Sequence, residues 1–503
     1  MNSEKISTLD MAIIDVNSEF LGVKRQILME NAGRGLADLV WEIYRKNKRS
    51  NVIVLCGHGG NGGDGMVAAR HLARNVPVSL YLLGSPKDIS KISTQINFNI
   101  LNNMRDTVHY HQIKQINDVD NIEFNPSSVI VDCLLGTGIK GTIREPLATL
   151  LHSIEVWQKQ GAIVVSADTP TGIDPDTGHK SNVFLVPDFT GIFHKQKKGL
   201  NPKNSGKIRI IPIGVPPEAE TIIGPGDLIA LKKRKSWSKK GDNGKILVIG
   251  GSEIYSGAPA LSALAAIQAG VDLVTILVPE RISSAIRSYS PELIVVDYPS
   301  SHLIPDSVSI ELIKKNDTIV LGPGLGQNPE TEQAIFKIMN IVKKLDKTIV
   351  IDADALKMLN LNDVTQKTIL TPHPGEFEKI TNISLPISAK TFQERVKNVE
   401  KISKQYSCTW VVKGHWDIVA NKSRIKINTS GIPKMTRGGT GDILAGLIAG
   451  FLPQTEKLFY AACIGTYING RAGELAEKEF SLLNLLKKVP NAVEDSIDFI
   501  RDD

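Results

Sequence analysis

The sequence has few cysteines and few aromatic residues. Its 503 residues include four cysteines, Cys56, Cys133, Cys408 and Cys463, which lie far apart and form no metal-ligand pair. We interpret them as small apolar residues of a protein in a reducing cytosol, which predicts a cytoplasmic location. Aromatic residues make up 5% of the chain and offer little for base stacking. We therefore expect no nucleic-acid partner.

A strong charge bias and a long apolar segment are also absent. The net charge of +6 is spread over the whole chain, and its densest basic run, Lys232–Lys235, predicts a solvated face or a domain junction. The longest uncharged run, Ile254–Val271, is dominated by Ala, Gly and Ser and suits a helix packed on a sheet better than a membrane span. The N-terminus carries Glu4, Asp10 and Asp15 and no apolar core, which argues against a signal peptide.

The length of the chain predicts more than one domain. A chain of 503 residues corresponds to about three domains, or to two large ones. Apolar content of 42% and charged content of 22% are ordinary for globular protein. Pro216 and Pro217 precede a polar segment rich in Gly, Pro and Lys. We place a boundary there, which gives one domain over residues 1–222 and a second over residues 223–503.

The N-terminal half alternates apolar strands with glycine-rich loops. Asn51–Cys56 predicts a buried parallel strand, which leads into GHGGNGGDG at Gly57–Gly65 and then into a helix from Met66. Further strands are predicted at Val78–Gly84, Ser128–Gly136, Ala162–Asp168 and Ile208–Val215. The strands Ser128–Gly136 and Ala162–Asp168 run into GTGIKGT and TPTGID. Loops at the carboxyl ends of such strands share one crevice. Because the glycine spacing matches neither GxGxxG nor the Walker motif, the standard dinucleotide and P-loop sites are poor matches.

Three of these loops offer oxygen atoms to a cation. Asn61 lies in the first loop, Thr171 lies in the third, and Asp132 lies within an apolar strand. A charge in that position is costly unless it is paired or bound to a cation, and oxygen ligands suit a hard cation. For Asp132 and for Asp168 the alternative is a helix cap or a turn former.

The N-terminal motifs resemble a known family. LMENAGRG, NGGDG, VDCLLGTG, DTPTGID and FHKQKKG, over roughly residues 7–215, are similar to the NAD(P)HX epimerase domain of the NAD(P)H-hydrate repair proteins. The resemblance implies potassium ligands at Asn61, Asp132 and Thr171, a catalytic acid–base role for Asp168, and a catalytic Lys197 close to the substrate. It also implies substrate contacts from Gly60, Asn61, Gly62, Gly63, Asp64, Gly136, Thr137, Gly138, Ile139, Lys140, Gly141, Thr142 and Asp168.

Two positions depart from the family pattern. Gly60 stands where the family usually has Asn, and Thr171 stands where it usually has Ser. Threonine keeps the hydroxyl group, so we expect the ion site to survive. Gly60 has no side chain, so one side-chain contact to the nucleotide is lost.

The C-terminal half predicts a second α/β sheet, because apolar strands again alternate with helical stretches. The predicted strands are Lys245–Gly251, Val271–Val278, Thr318–Leu321, Thr348–Asp352, Thr368–Thr371 and Trp410–Val412. The loops that follow carry GPGLG at Gly322–Gly326, DADAL at Asp352–Leu356, TPHPGE at Thr371–Glu376, KGHWD at Lys413–Asp417 and GGTGD at Gly438–Asp442.

The GGTGD segment has the composition of a phosphate site. Its glycines free the backbone to aim N–H groups at a ligand, and the predicted helix Ile443–Leu452 directs its positive end at the turn. Asp442 is then placed to take a proton from a hydroxyl beside the phosphate. The alternative is a glycine turn that only lets a helix pack closely, with Gly446 and Gly450 serving the same purpose.

The C-terminal motifs also resemble a known family. GDNGKILVIGGS, SGAP, GPGLG, DAD, TPHPGE, KG and GGTGD, in this order over roughly residues 225–495, are similar to the ribokinase-like fold and more closely to the NAD(P)HX dehydratase domain. The resemblance implies a catalytic Asp442 and leaves Asp352 and Asp354 either structural or placing Mg²⁺ through water. It implies contacts to the hydrated nucleotide from Ala258, Gly324, His373 and Asp442, and to the adenine nucleotide from Lys413, Gly414, His415, Trp416, Asp417 and Gly441.

Together these features predict an α/β protein, with a Rossmann-like doubly wound domain followed by a ribokinase-like domain. The resemblance implies a metabolite-repair enzyme that epimerises R- and S-NAD(P)HX and dehydrates the S epimer to NAD(P)H, with ADP converted to AMP and phosphate through phosphorylation of the C6 hydroxyl. It implies NADHX, NADPHX and ADP as small-molecule partners and K⁺ and Mg²⁺ as cofactors, and we expect a homo-oligomer with no membrane partner. The alternatives are a small-molecule kinase of the same fold, which leaves the N-terminal half unexplained, and a nucleotide sensor without catalysis, which conflicts with the intact GGTGD.

Overall fold

The computed structural model of the chain describes residues 5–104, 106–136, 141–386, 388–455 and 457–501. These residues form two compact units that divide between Ala219 and Glu220. Each unit has its own sheet, so we describe them separately. None of the described helices combines the length and the apolar character needed to cross a lipid bilayer.

The N-terminal unit is built on a parallel sheet of seven strands. Its described strands are β1 Asn51–Cys56, β2 Val78–Leu83, β3 Val108–Ile113, β4 Ser128–Cys133, β5 Ile163–Ala167, β6 Phe189–Phe193 and β7 Lys207–Ile211. Its helices are α1 Thr8–Phe20, α2 Arg25–Lys46, α3 Gly60–Leu72, α4 Ile92–Asn102, α5 Asn117–Asp120, α6 Leu147–Lys159 and α7 Pro202–Ser205, and α8 Pro217–Thr221 spans the division. The strand order β3-β2-β1-β4-β5-β6-β7 is Rossmann-like.

Both faces of this sheet are buried, which explains the continuous apolar strands. Val52, Val54 and Cys56 of β1 belong to one hydrophobic core, and Ile53 and Leu55 belong to the core on the opposite face. With the faces covered, the polar loops at the carboxyl ends of the strands are the surface left for a ligand.

The C-terminal unit contains a mixed sheet of nine strands. Its described strands are β8 Lys245–Ile249, β9 Leu273–Pro279, β10 Leu293–Tyr298, β11 Thr318–Leu321, β12 Thr348–Ile351, β13 Thr368–Leu370, β14 Thr409–Val412, β15 Asp417–Ala420 and β16 Ile425–Asn428. Its helices are α9 Gly257–Gln268, α10 Glu280–Tyr289, α11 Ile310–Lys314, α12 Pro329–Lys344, α13 Ala353–Lys357, α14 Pro374–Thr381, α15 Phe392–Gln405, α16 Thr440–Thr455, α17 Leu458–Leu475 and α18 Leu482–Arg501. The order is β10-β9-β8-β11-β12-β13-β14-β15-β16, and β15 and β16 pair antiparallel.

Helix α16, which follows GGTGD, packs closely against α9. A Cβ atom added at Gly446 would lie 2.0 Å from the carbonyl oxygen of Ser262, and one added at Gly450 would lie 2.6 Å from Cβ of Ala269. Real Cβ atoms do not approach so closely, so both positions need glycine for packing. Gly446 and Gly450 therefore have the structural role given to them in the alternative interpretation of this segment.

The predicted starts of two helices were wrong. Helix α3 begins at Gly60 instead of Met66, and α16 begins at Thr440 instead of Ile443. Glycine is a poor helix former, but a Cβ at Gly62 would lie 1.8 Å from the Gly57 carbonyl oxygen, so tight packing selects glycine inside the helix. The strands missed by the sequence analysis are β3, β6, β10, β15 and β16. Of these β3, β10 and β16 lie at sheet edges, where strands are more polar.

Candidate active sites

A cavity at the carboxyl end of the N-terminal sheet brings together residues predicted from separate loops. Asn61 and Asp64 lie three residues apart on α3 and both face the cavity, because this spacing places side chains on one side of a helix. Asp168 follows β5, and Lys197 follows β6. The predicted residues that line this cavity are Gly60, Asn61, Asp64, Gly136, Asp168 and Lys197.

Asp168 and Lys197 form a buried ion pair. The Lys197 side chain is 1% exposed, and its Nζ donates to Asp168 Oδ1 and, at 3.2 Å, to the Phe193 carbonyl oxygen. The Phe193 N–H donates to Asp168 Oδ1 at 3.0 Å. Asp168 adopts a φ of 55°, a left-handed conformation that a residue with a side chain rarely takes and that clusters at functional sites. The pair is thus held in one geometry, as an acid–base pair requires.

Asp132 and Thr171 are connected by hydrogen bonds to Asn61, which lines this cavity. Asp132 is fully buried and accepts from the Thr171 hydroxyl at 2.6 Å, the Thr171 N–H at 3.0 Å and the Ser166 hydroxyl at 2.8 Å. Burial raises its pKa, and these hydrogen bonds oppose the rise. Asn61 joins the same group, since its Nδ2 donates to the Leu135 carbonyl oxygen at 3.1 Å and the Leu135 N–H donates to Thr171 Oγ1 at 3.1 Å.

One atom of this group lacks a partner. Asn61 Oδ1 is buried and forms no hydrogen bond with any described residue. A buried oxygen without a donor is costly, and a cation would satisfy it. The donor set of amide, carboxylate and hydroxyl oxygens fits a hard cation.

Gly62, Gly63, Gly141 and Thr142, which were also predicted for this site, do not line the cavity. Gly62 and Gly63 are buried in helix packing, where a Cβ at Gly63 would lie 2.6 Å from the Met29 methyl group. Gly141 and Thr142 line a second cavity with Asp174, His179, Lys180 and Asn182. Thr137, Gly138, Ile139 and Lys140 lie outside the described residues. Lys91 lies close to Gly60, the position where the family usually has Asn: a Cβ atom added at Gly60 would lie 3.6 Å from Lys91 Nζ.

In the C-terminal unit, Lys413 is the centre of a charged cluster. Its Nζ donates to Asp352 Oδ1 at 2.7 Å and lies 3.9 Å from Glu376 Oε2. The Thr371 hydroxyl donates to the same Asp352 oxygen at 2.7 Å. Burial lowers the pKa of Lys413, but the charges of Asp352 and Glu376 raise it by more than burial lowers it. The pKa is therefore above its ordinary value, and the amine stays charged.

The N-terminus of α16 lies beside this cluster. A Cβ at Gly441 would lie 3.3 Å from Lys413 Nζ and 3.9 Å from Asp352 Oδ2. The Asp442 carbonyl oxygen accepts from the Ser262 hydroxyl at 2.8 Å, which fixes the first turn of the helix. Burial raises the pKa of Asp442 to about 7, with Asp352 adding to the rise and Lys413 opposing it. A carboxylate with this pKa is suited to accept a proton at neutral pH.

Two predicted substrate contacts, Gly324 and Ala258, are neighbours. A Cβ at Gly324 would lie 3.4 Å from Cβ of Ala258 and 2.9 Å from Cβ of Tyr255, and Gly324 has a φ of 69°. Glycine is required here by both the conformation and the space. His373 is the N-cap of α14, and its Nδ1 accepts from the N–H groups of Gly375 and Glu376 at 3.1 and 3.2 Å. Its side chain is 54% exposed, and its Nε2 lies 3.4 Å from Glu376 Oε1.

The segment predicted to hold the adenine nucleotide forms the turn between β14 and β15. The Gly414 N–H donates to Asp417 Oδ1 at 2.9 Å, so this carboxylate is engaged within the turn. The ring of Trp416 lies 4.9 Å from that of Phe392 and 5.6 Å from that of His415. The turn therefore presents backbone groups and an aromatic surface next to Lys413.

Asp352 and Asp354 are both engaged in the protein. Asp352 pairs with Lys413, and Asp354 accepts from the Gly326 N–H at 3.0 Å and from Lys357 at 2.8 Å. Within the described ranges, no three or more His, Cys, Asp or Glu side chains are arranged to hold a metal ion.

Comparison with known proteins gives the family. A family profile described as NAD(P)H-hydrate dehydratase matches residues 246–493, and one described as YjeF-related protein N-terminus matches residues 25–199. Bifunctional NAD(P)H-hydrate repair enzymes Nnr from Methanothermobacter thermautotrophicus and Methanocaldococcus jannaschii are 38% and 39% identical to the chain. Each alignment covers 97% of this chain, and they cover 95% and 94% of the two relatives. The chain belongs to the bifunctional NAD(P)H-hydrate repair enzyme family.

Membership of the repair family confirms the predicted epimerase and dehydratase activities and the predicted fold classes, Rossmann-like and ribokinase-like. Among solved structures, a ribokinase-like superfamily protein from Enterococcus faecalis is 25% identical, with a TM-score of 0.47, over 53% of this chain and 92% of its own.

Four charged residues near the two sites were missed as site residues. Asp15, Arg25 and Lys91 line the N-terminal cavity, and Glu376 lies beside Lys413. Glu376 belongs to the TPHPGE motif, so a sequence signal for it existed. Asp15 was noted only as an N-terminal charge, and no glycine-rich motif or strand end marks it or Lys91.

Proposed function

We propose that the N-terminal unit epimerises C6 of the hydrated nicotinamide ring at the Asp168–Lys197 pair, and that the C-terminal unit dehydrates the S epimer at Asp442 with ADP as phosphoryl donor. The observation that carries the second assignment is the position of Asp442. It lies in the first turn of α16, where the helix N-terminus meets Lys413, and its pKa is raised to about 7. A base, a cation and a helix N-terminus together are the elements of phosphoryl transfer to a hydroxyl.

The dehydration proceeds by phosphorylation and elimination. Asp442 takes the proton of the C6 hydroxyl as its oxygen attacks the β-phosphorus of ADP, and the bond from that phosphorus to the bridging oxygen breaks to release AMP. Phosphate is a better leaving group than hydroxide, so the lone pair on N1 expels it from C6. Loss of a proton from C5 then forms the C5–C6 double bond of NAD(P)H. Lys413 and the α16 amides stabilise the charge on the transferred phosphoryl group.

A coupled assay tests this function. The full chain is incubated with S-NADHX and ADP, and the return of dihydronicotinamide absorbance is followed, with ATP and no nucleotide as parallel arms. We expect absorbance to return with ADP and to be accompanied by equimolar AMP and phosphate. Stable phosphorylation of another small molecule without any return of absorbance would favour the kinase alternative. Nucleotide binding without turnover would favour the sensor.

We further propose that K⁺ is held by Asn61, Asp132 and Thr171. The buried Asn61 Oδ1 without a hydrogen-bond partner supports this ligand set, as does the buried Asp132 carboxylate, which forms no ion pair with any described residue. When bound, K⁺ would supply positive charge at Asn61, which lines the substrate cavity. Hydrogen bonds from Thr171 and Ser166 position the Asp132 carboxylate, and the bond from the Leu135 N–H to Thr171 joins the loops after β4 and β5.

We predict that Asp132→Ala weakens epimerisation and removes its dependence on K⁺, while dehydration of pure S substrate stays nearly unchanged. The measurements are R/S interconversion and thermal unfolding at increasing KCl with NaCl as control, since a ligand that binds only the folded state raises Tm. Asp38→Ala, which removes an exposed carboxylate on α2, is the matched control. Equal loss of both activities in a folded variant, or a wild type whose Tm and rate ignore K⁺, would contradict this site.

The proposed domain boundary, with residues 1–222 and 223–503 as separate domains, leads to a prediction about isolated units. A fragment of residues 220–503 is expected to fold and to convert only the S epimer, because its sheet has its own hydrophobic core. Starting at residue 220 rather than 223 keeps the bridge between Ile222 and Ile427. Circular dichroism and the ADP-coupled assay provide the test. An insoluble fragment would show that the units depend on each other for folding.

Other partners stay predictions. We infer that Mg²⁺ arrives with the nucleotide phosphates, which is consistent with the engaged state of Asp352 and Asp354. Use of both NADHX and NADPHX, a homo-oligomeric state and a cytoplasmic location are likewise proposed from the sequence.

A further inference from the structure

The N-terminal helix α1 is tied to the loop that carries Lys197. Ile6 forms a parallel bridge with Lys197, with the Ile6 N–H donating to the Gln196 carbonyl oxygen at 2.9 Å and the Lys198 N–H donating to the Ile6 carbonyl oxygen at 3.1 Å. At the start of α1, the N–H and hydroxyl of Thr8 donate to the Asp176 carboxylate at 2.8 and 2.6 Å. The first helix is therefore held in a fixed position relative to the Asp168–Lys197 pair.

This arrangement brings Asp15 into the epimerisation cavity. Met11 and Asp15 are four residues apart on α1, so they lie on the same side of the helix, and both line the cavity. No hydrogen bond to another described residue engages the Asp15 carboxylate, whereas Asp168 is bound to Lys197 and to the Phe193 N–H. Asp15 is thus a carboxylate that is fixed by its helix, directed at the substrate space and free to exchange a proton.

Epimerisation at C6 requires proton transfer at two places on the substrate. C6 carries a hydroxyl and is bonded to N1, so it is a hemiaminal carbon. Removal of the hydroxyl proton lets C6 become an aldehyde while the C6–N1 bond breaks, and its electron pair, with a proton, becomes an N–H at N1. Rotation about C5–C6 and the reverse steps close the ring on the other face. No oxidant or reductant is needed, but one group serves the hydroxyl and another serves N1.

We propose that Asp15 is the second acid–base residue of the epimerisation site, acting from the α1 wall of the cavity while the Asp168–Lys197 pair acts from the β5 and β6 wall. The inference rests on the proposed function of the N-terminal unit. The reaction requires groups on two separate walls, because the C6–O and C6–N1 bonds point away from C6 in different directions.

The surrounding charges suit Asp15 to this role. Burial raises its pKa to about 7; Lys197, Arg25 and Lys91 oppose the rise, and Asp168 adds to it. Asp64 on α3 lines the same cavity, and burial raises its pKa well above the ordinary range. Asp15 is a cavity carboxylate without a hydrogen-bonded cation, and its pKa of about 7 suits it to take and return a proton near neutral pH.

The test uses the full chain without ADP, so that the dehydratase is silent, and follows the conversion of pure R-NADHX to the S epimer by chromatography. We expect Asp15→Asn to lower kcat about a hundredfold or more, with KM changed by less than about fivefold. The control is Asp10→Asn, which removes another carboxylate from α1 that does not line the cavity. Asp10→Asn is expected to keep the wild-type rate.

The pH dependence separates a chemical role from a structural one. Since the cycle starts with the Asp15 carboxylate as a base, the wild-type kcat should fall as pH drops through about 7. Asp15→Glu should restore part of the rate with a displaced inflection, and Asp15→Asn should lose the inflection. A folded Asp15→Glu variant whose inflection is unchanged would overturn the proposal, even if Asp15→Asn fails to fold. So would an Asp15→Asn variant with kcat within about threefold of wild type, or loss of the inflection in Asp64→Asn alone.

Different results would reject the proposed function of the N-terminal unit and the proposed role of Asp15. Absence of R/S interconversion by the wild-type chain would reject the proposed function of the N-terminal unit, and the Asp15 proposal with it. A wild type that interconverts the epimers, together with a silent Asp15→Asn, would reject Asp15 alone. Dehydration of S-NADHX with ADP, measured on the same preparations, shows that the variants are folded and active elsewhere.

Discussion

Asp442→Asn is expected to abolish ADP-dependent dehydration while nucleotide binding survives. In the proposed mechanism the substitution removes the base that accepts the C6 hydroxyl proton, and loss of a positioned base costs about a hundred- to ten-thousandfold in rate. Lys413 and the N-terminus of α16 remain, so the affinity for ADP should stay within about tenfold, or about 1.4 kcal/mol. Calorimetric ADP titration and the coupled assay measure the two effects, and epimerisation should stay intact.

The pH profile of the wild type provides a second readout of the same residue. Burial raises the pKa of Asp442 to about 7, and the mechanism needs its carboxylate form. The rate of dehydration should therefore be fully developed above pH 7 and should fall as pH drops through this value. If Asp442 causes this fall in rate near pH 7, the fall should be absent in the Asp442→Asn variant.

A purely structural role for Asp442 leads to a different prediction. If Asp442 only stabilises the start of α16, asparagine would replace it with little loss, because Asn caps a helix nearly as well as Asp. A variant with dehydration within a few-fold of wild type would therefore reject the catalytic assignment. Asp306→Asn, which changes an exposed aspartate in the same unit, is the control for the substitution itself.

The order of strands and loops was predictable because buried parallel strands are apolar along their whole length. Asn51–Cys56 and Thr318–Leu321 were predicted with the bounds that the structure shows. Their loops were expected to meet at one edge of each sheet, and the connection of Asn61 to Thr171 through Leu135 follows from that topology. Local sequence patterns were enough here, since each feature depends on a single strand and the residues after it.

Features that depend on tertiary packing were not predictable in this way. The glycines at the starts of α3 and α16 predicted loops instead of helices. Gly62 is required by its close contact with the Gly57 backbone, and this contact is visible only in three dimensions. The pairing of Asp352 with Lys413 joins residues 61 positions apart, so the sequence left Asp352 undecided. Asp15 enters its cavity through the anchoring of α1, for which no motif exists.

Lys197→Met is expected to abolish epimerisation and also to destabilise the N-terminal unit. Lys197 Nζ pairs with Asp168, and its side chain is 1% exposed. Removing one partner of a buried pair leaves an uncompensated charge and costs about 3–5 kcal/mol. Loss of the proton donor should reduce R/S interconversion about a hundredfold or more. Thermal unfolding and chromatographic epimerisation measure the two effects, and Lys198→Met, at the exposed neighbouring lysine, is the matched control.

The double variant Asp168→Asn with Lys197→Met distinguishes catalysis from stability. Removing both charges eliminates the unpaired carboxylate, so stability should recover part of the loss seen in Lys197→Met. If the pair supplies one of the two proton transfers, epimerisation should stay as low as in the single variant even though the unit is folded. If the pair only holds the loops after β5 and β6 together, activity should return in proportion to stability. Recovery of epimerisation in the double variant would thus reject the catalytic role of both residues.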